Sequence, residues 1–130
     1  MAEIRSDFEV TSWDAEVYLE PSEGETGPSM SQALVGKTFT GVMAGTSVAR
    51  VLTAGAATGQ GYIASERFEG TIDGRAGTLV YQHGGIMDGD DGSTFGTLIP
   101  GCGTGELEGL RGSIRFWHDD QGATVTLLLE

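Results

Sequence analysis

The sequence predicts an all-β domain, an eight-stranded antiparallel up-and-down barrel, and three observations carry that prediction. Apolar residues alternate at period two in segment after segment, and no segment sustains helical spacing. The 22 glycines fall between β-branched runs instead of gathering in a tract, which marks tight turns. A chain of 130 residues suffices for one core and not for two, so a single domain over 1–130 is expected.

The first strand is expected over about Asp7–Tyr18, with Phe8 and Val10 opposed to Glu9 and Thr11. The Pro/Gly/Ser/Glu-rich stretch that follows reads as a mobile loop over 20–31. A second strand runs from about Gln32 to Val42, and "MAGT" turns into a third near Ser47–Ala56. The turn "ATGQG" leads to a fourth over about Tyr62–Ile72. Asp73-Gly74 is a strong two-residue hairpin signal, and it joins that strand to a fifth at about Gly77–Met87. "DGDDG" leads into a sixth at about Ser93–Pro100, and "GCGTGELEGLRG" breaks the alternation, with a short helical turn expected at Glu106–Leu110. A last hairpin pairs about Ser113–His118 with Ala123–Leu129. Strands that follow one another this closely favour a closed meander over a Greek key. Closure removes the edges that invite aggregation, and eight strands leave room for one small ligand or for a filling of side chains.

Charge narrows the function. The formal net charge of −12 lacks the basic stripe that phosphate-backbone binding needs, so neither nucleic acid nor an anionic membrane surface is expected as a partner. Within the first thirty positions, Glu3, Asp7, Glu9, Asp14, Glu16, Glu20, Glu23 and Glu25 face Arg5 alone, which reads as a solvated edge or, less simply, as a docking surface for a basic partner. The single cysteine, Cys102, allows no internal disulfide. No signal-like start and no long apolar run is present, so a cytoplasmic location is expected.

Parity within the strands singles out a few residues. Glu66 shares a face with Tyr62, Ala64, Phe68 and Ile72, whereas Ser65, Arg67, Glu69 and Thr71 point the other way. Lys37, the one lysine of the chain, shares a face with Val35 and Phe39. A carboxylate and an ammonium on apolar faces invite each other inside the ring, where each offsets the other's desolvation. Glu66 is then a candidate general base or anion, and Lys37 its orienting partner or an electrophilic contact. The plainer alternative is an ion pair that only fixes register, and a bulge in either strand would reverse the faces beyond it. One of His83 and Gln82 must point inward, and the alternation leaves both open. His83 is the natural acid–base group if it lines a cavity. Tyr62, Phe68, Phe39 and Tyr81 are candidates for a ligand-binding wall, alongside a purely structural role as core.

Other motifs fail on spacing. "GKT" at 36–38 has Ser31 where a phosphate loop needs its first glycine, and "GCGTGELEG" opens no βαβ unit. Two distant histidines and one cysteine are too few for a zinc site, and "DGDDG" lacks the ligand pattern of a calcium loop. No metal and no cofactor is expected. His118, at a strand end, is expected on the surface, and Cys102 has no neighbouring base to activate it.

The runs "FEVTSWD" at 8–14, "KTFTG" at 37–41, "ERFEGTIDGRAGTLVYQHGG" at 66–85 and "GTGELEGLRG" at 103–112 resemble an uncharacterised bacterial domain-of-unknown-function family assigned an allene-oxide-cyclase-like barrel. That resemblance implies the barrel. Through plant allene oxide cyclases and bacterial spirotetronate cyclases it also implies a cofactor-independent cyclase or isomerase that encloses an apolar metabolite. Two other functions stand beside it: a lipocalin-like carrier or sensor, and a filled barrel acting through its outer surface, with a homodimer among the expectations. An internal cavity of several hundred Å³, on the order of ordinary ligand sites, separates the first two from the third.

Overall fold

The computed structural model describes residues 2–21 and 27–130 and contains no helix among them. Nine strands follow in chain order: β1 (Ala2–Leu19), β2 (Ser29–Gly41), β3 (Met43–Gly55), β4 (Gly59–Ile72), β5 (Arg75–Asp88), β6 (Asp91–Leu98), β7 (Thr104–Gly105), β8 (Gly112–Asp119) and β9 (Gly122–Leu129). All neighbours are antiparallel, in the cyclic order β1-β2-β3-β4-β5-β6-β8-β9 and back to β1, so the sheet closes into a barrel-like ring. The eight long strands are those the alternation predicts.

Two differences lie in the connections. β2 already begins at Ser29, with Met30 paired to Leu19, so the loop expected over 20–31 is shorter at its far end; residues 22–26 lie outside the described residues. The helical turn expected at Glu106–Leu110 is instead a run of tight turns, with Leu107, Glu108 and Leu110 donating to Thr104, Gly105 and Leu107. Gly105 and Gly109 sit in the left-handed region at φ of 63° and 83°, which stops a helix from propagating. Thr104–Gly105 pair with Thr78 and Gly77 as the added strand β7, and this carries Leu107 into the end of the ring, where it is wholly buried against the core.

Local chemistry explains the closure. Asp73 and Gly74 both adopt positive φ, 52° and 78°, as a two-residue type I′ hairpin requires, and the turn fixes the register of β4 on β5. Gly45 and Gly70 face each other across β3 and β4, so close that a Cβ on Gly70 would stand 2.1 Å from the Ala44 carbonyl oxygen. A register shift between Val10 and Ser12 inserts Thr11 as an extra residue in β1, and Trp13 takes over the inward parity that Phe8 and Val10 hold before it. The weakest junction is β6 with β8, which share the one bridge Thr97 to Ser113.

The interior is packed at one end. Phe39, Met43, Phe68, Ile72, Leu79, Leu98, Leu107, Ile114, Leu127 and their neighbours form the main cluster, with Phe39 edge-on to Phe68 at 5.4 Å. Toward the other end the inward residues of β2, β3 and β4 become small, namely Ala33, Val35, Ala49, Val51 and Ala64 with Tyr62 packed against them. Small side chains there leave space that the large ones fill below.

Candidate functional site

At the boundary between the packed end and the open end sits a cluster of polar groups on four adjacent strands. Glu66 of β4 is its centre, 2% exposed. Register places Glu66 opposite Ala49 on β3 and Tyr81 on β5, with Ser47 and Lys37 opposite each other on β3 and β2. Inward parity does the rest.

The carboxylate accepts four hydrogen bonds. Oε1 accepts from Lys37 Nζ at 2.8 Å and from His83 Nε2 at 2.8 Å, and Oε2 accepts from Ser47 Oγ and Tyr81 Oη, each at 2.7 Å. Beyond it, the Tyr62 hydroxyl lies 3.1 Å from His83 Nδ1. The cation and the imidazole share an aromatic platform. Lys37 Nζ stands 4.0 Å from the centroid of Phe116, and the His83 ring stacks on the same Phe116 at 4.2 Å. Among the described residues no buried side-chain nitrogen or oxygen lacks a partner.

These contacts set the protonation states. Burial alone would raise the Glu66 carboxyl, but the hydrogen bond from His83, the charge and hydrogen bond of Lys37, and the Ser47 hydroxyl together outweigh it and hold it at about 2. Burial lowers Lys37, against the pull of Glu66. His83 is also lowered, first by burial and further by the Lys37 charge, with Glu66 acting in opposition. Tyr62 is pushed up to about 12 by burial and by the Glu66 anion, and the same two causes raise Tyr81. Near neutral pH the cluster is therefore an anionic Glu66, a neutral His83 and two protonated phenols.

A cavity of about 900 Å³ opens over this cluster. Its inner wall includes Lys37, His83, Tyr62, Phe116 and Phe8, and its mouth carries the exposed Val10, Trp13, Met87 and Trp117. Beyond the Thr97–Ser113 bridge, Ser93 and Thr94 of β6 and Phe116–His118 of β8 both line it, so the loosest junction of the ring borders the opening. A second groove of about 1100 Å³ lies on the outer wall, among Leu34, Arg50, Leu52, Ile63 and Phe95. There the Phe95 ring lies over Gly84, where a Cβ would meet its Cζ at 2.6 Å.

The residues singled out in the sequence divide accordingly. Glu66, Lys37, His83, Tyr62 and Tyr81 meet in one cluster, and of these Lys37, His83 and Tyr62 line the cavity. The choice between Gln82 and His83 falls to His83. Gln82 is exposed on the outer wall, where it donates to Ser65 Oγ at 2.8 Å, because Glu66 pairs with Tyr81 and the inward parity of β5 then runs Leu79, Tyr81, His83. Phe39 and Phe68 belong to the packed end and not to the cavity wall. Arg67 is on the outer face with Glu69 of its own strand 3.4 Å away, and exposed His118 stands at the cavity mouth. Ser47 and Phe8 were missed, and Phe116 was read only as one of several aromatics that could be core or cavity wall. Ser47 carried a readable signal, a polar residue in phase with Ala49 and Val51, whereas the places of Phe116 and Phe8 depend on how β8 and β1 close the ring.

Fold and site together define an all-β, barrel-like ring with an apolar cavity seated on a saturated, buried carboxylate. The chain belongs to the family described as protein of unknown function DUF3224, whose profile matches residues 4–130. It is similar to a protein with unknown function from that family in Shewanella oneidensis MR-1, known from a crystal structure at 1.84 Å resolution, with 26% identity and a TM-score of 0.83 over 100% of this chain and 96% of that one. Among curated proteins none matches. The family and the ring are what these likenesses show; a link to allene oxide cyclases is not part of it.

Proposed function

We propose that this protein binds one small, mainly apolar molecule in the cavity over Lys37, His83 and Tyr62, and acts on it as a cofactor-independent isomerase or cyclase. The observation that carries the reading is the juxtaposition of an apolar mouth with three polar groups that converge on its floor. The cavity volume, about 900 Å³, falls within the range of small-molecule sites. Such a ligand would be excluded from water and held against fixed donors, which is what a rearrangement without a cofactor requires.

One observation favours a second reading, a carrier or sensor. Glu66 has every lone pair engaged and a pKa of about 2, so it is a poor base and a good structural anion. A carrier would use Lys37 and Tyr62 only to anchor the polar end of its ligand.

The chain reports on binding by itself, because both of its tryptophans, Trp13 and Trp117, lie at the cavity mouth. Titration with a panel of apolar ketones, enones and epoxides should shift their emission to the blue and raise the unfolding temperature. Trp13 is 58% exposed, so Trp13→Glu should fold normally while weakening both responses. If no compound alters the emission, or if Trp13→Glu binds as well as the parent, the cavity is not a binding site.

A further inference from the structure

The cluster fixes the direction of its own hydrogen bonds. An ionised Glu66 can only accept, so His83 Nε2 must carry the hydrogen in their 2.8 Å contact. In the neutral imidazole that leaves Nδ1 as the acceptor, so the Tyr62 hydroxyl is the donor in the 3.1 Å contact on the other side. The chain of donation runs from Tyr62 to His83 to Glu66. Only its Tyr62 end is partly open, and it opens on the cavity.

We propose that Tyr62, His83 and Glu66 form a proton relay serving the cavity, and that its substrate is an uncharged, enolisable carbonyl compound whose oxygen is received by Lys37. This rests on the reading of the cavity as a small-molecule site and names its chemistry. In the forward step a C–H bond next to the carbonyl breaks and its proton goes to Tyr62 Oη. The same oxygen hands its original proton to His83 Nδ1. The electron pair of the C–H bond becomes the enolate, whose negative oxygen accepts from Lys37 Nζ. Returning the proton through Tyr62 to a different carbon of the conjugated system completes a 1,3-shift. No atom or electron is gained or lost, and no oxidant or co-reactant is needed.

Glu66 supports this step, since its charge and hydrogen bond oppose the burial and the Lys37 charge that disfavour an imidazolium at His83. Before it, the Lys37 cation faces the Glu66 anion. After it, two ion pairs are required, and both have their partners in place, because one carboxylate oxygen touches Lys37 Nζ and His83 Nε2 at the same 2.8 Å. The new imidazolium lies against Glu66 while Lys37 turns its remaining hydrogens to the enolate. Phe116 flanks both cations, 4.0 Å from Nζ and 4.2 Å from the imidazole, and can favour either charge. Glu66 itself is a positioning residue, since no face of it reaches the cavity.

The test uses cyclohex-3-enone as the probe, with tryptophan emission for binding and proton NMR in D2O for conversion to the conjugated ketone with uptake of deuterium. The wild type should bind and convert it. Tyr62→Phe should bind within about twofold and lose at least about 100-fold in rate, the usual size of a general acid–base contribution. The wild-type rate should fall as His83 becomes protonated at low pH. Binding without isomerisation or exchange overturns the relay and leaves the cavity reading standing. Absence of binding overturns both. Equal rates in Tyr62→Phe and wild type overturn the role of Tyr62. A nitrogen-15 spectrum with the His83 hydrogen on Nδ1 near neutral pH overturns the direction of the relay without reference to any probe.

Discussion

Removing Glu66 should be among the most damaging single changes this chain can suffer, and the magnitude follows from what the carboxylate holds. Glu66→Ala leaves Lys37 buried without its counter-ion, and breaking a buried pair from one side costs about 3–5 kcal/mol. It also deprives the hydroxyls of Ser47 and Tyr81 of their acceptor, each wholly or nearly buried, at about 1–3 kcal/mol apiece. The sum, on the order of 5–11 kcal/mol, is comparable with the whole stability of an ordinary domain, about 5–15 kcal/mol. Glu66→Ala should therefore be unfolded or close to it. Glu66→Gln has the same shape and a milder expected cost, because its amide oxygen can face Lys37 and His83 while the two hydroxyls rotate to accept from its NH2. The charge on Lys37 is then the residual defect, so adding Lys37→Met to Glu66→Gln should recover stability relative to Glu66→Gln alone. Urea unfolding of the parent, Glu66→Gln, Lys37→Met and the double variant, read as shifts in midpoint at constant slope, closes a double-mutant cycle and gives the coupling directly. A Glu66→Ala variant within about 0.5 kcal/mol of the parent, the ordinary range for surface changes, would refute the claim that this network is buried and cooperative.

The pH dependence carries a definite sign. The Glu66 carboxyl lies at about 2 in the fold against an ordinary 4.5, so its contribution is present above 4.5 and is lost as pH falls from there through 2. That is about 3 kcal/mol by linkage, and the acid limb of the parent's stability curve should be steeper than that of Glu66→Gln over this window; parallel limbs would contradict it. Tyr62 is displaced the other way, to about 12, so its contribution is present below 10 and is lost as pH rises through 12. Ultraviolet titration of the phenolates should show late ionisation that Tyr62→Phe reduces, and an unchanged titration would count against the burial of Tyr62 beside the Glu66 anion. Phe116→Ala removes the platform under Lys37 and His83 and should cost about 3–5 kcal/mol in urea unfolding, whereas a surface aromatic would cost far less. Gly70→Ala should destabilise strongly, since its Cβ would stand 2.1 Å from the Ala44 carbonyl oxygen at a φ of 159°; a stability equal to the parent's would mean that β3 and β4 approach less closely.

Much of this was legible in the chain because two physical signals are local. Period-two alternation located the eight long strands, and Asp73-Gly74 fixed one register by turn chemistry alone. That register aligns Glu66 with Tyr81 and so makes His83 an inward residue. The choice between His83 and Gln82 was thus encoded in the hairpin, but only for a reader who counts pairs outward from the turn. The bulge at Thr11 is different in kind. Nothing in "EVTSW" announces an extra residue, and Trp13 faces the cavity only because the ring must coil there to close. Phe116 reaches the site from β8 by closure of the ring, a contact between residues far apart in sequence, and alternation is silent on such contacts. The turns at 104–110 were obscured for a further reason. Helical spacing of Leu107 and Leu110 competes with left-handed Gly105 before them and Gly109 between them, and the glycines win.

A carboxylate on an apolar strand face invites the idea that it is the reactive group, and the geometry argues for a different division of labour. Four donors and a pKa of about 2 make Glu66 a weak base for a carboxylate, yet its charge organises everything around it. It retains Lys37 in an apolar interior, selects the His83 tautomer and raises the Tyr62 phenol. In the proposed relay the proton chemistry is thereby moved one and two residues outward, to groups that touch the cavity. A buried anion saturated in this way cannot be desolvated further by a ligand, so it costs nothing when a substrate arrives. Under the proposed function, Tyr62 and Lys37 would meet the ligand already oriented. The same arrangement accounts for the placement of the cluster at the boundary of the packed end, since a fixed charge needs rigid neighbours on one side and a substrate needs space on the other.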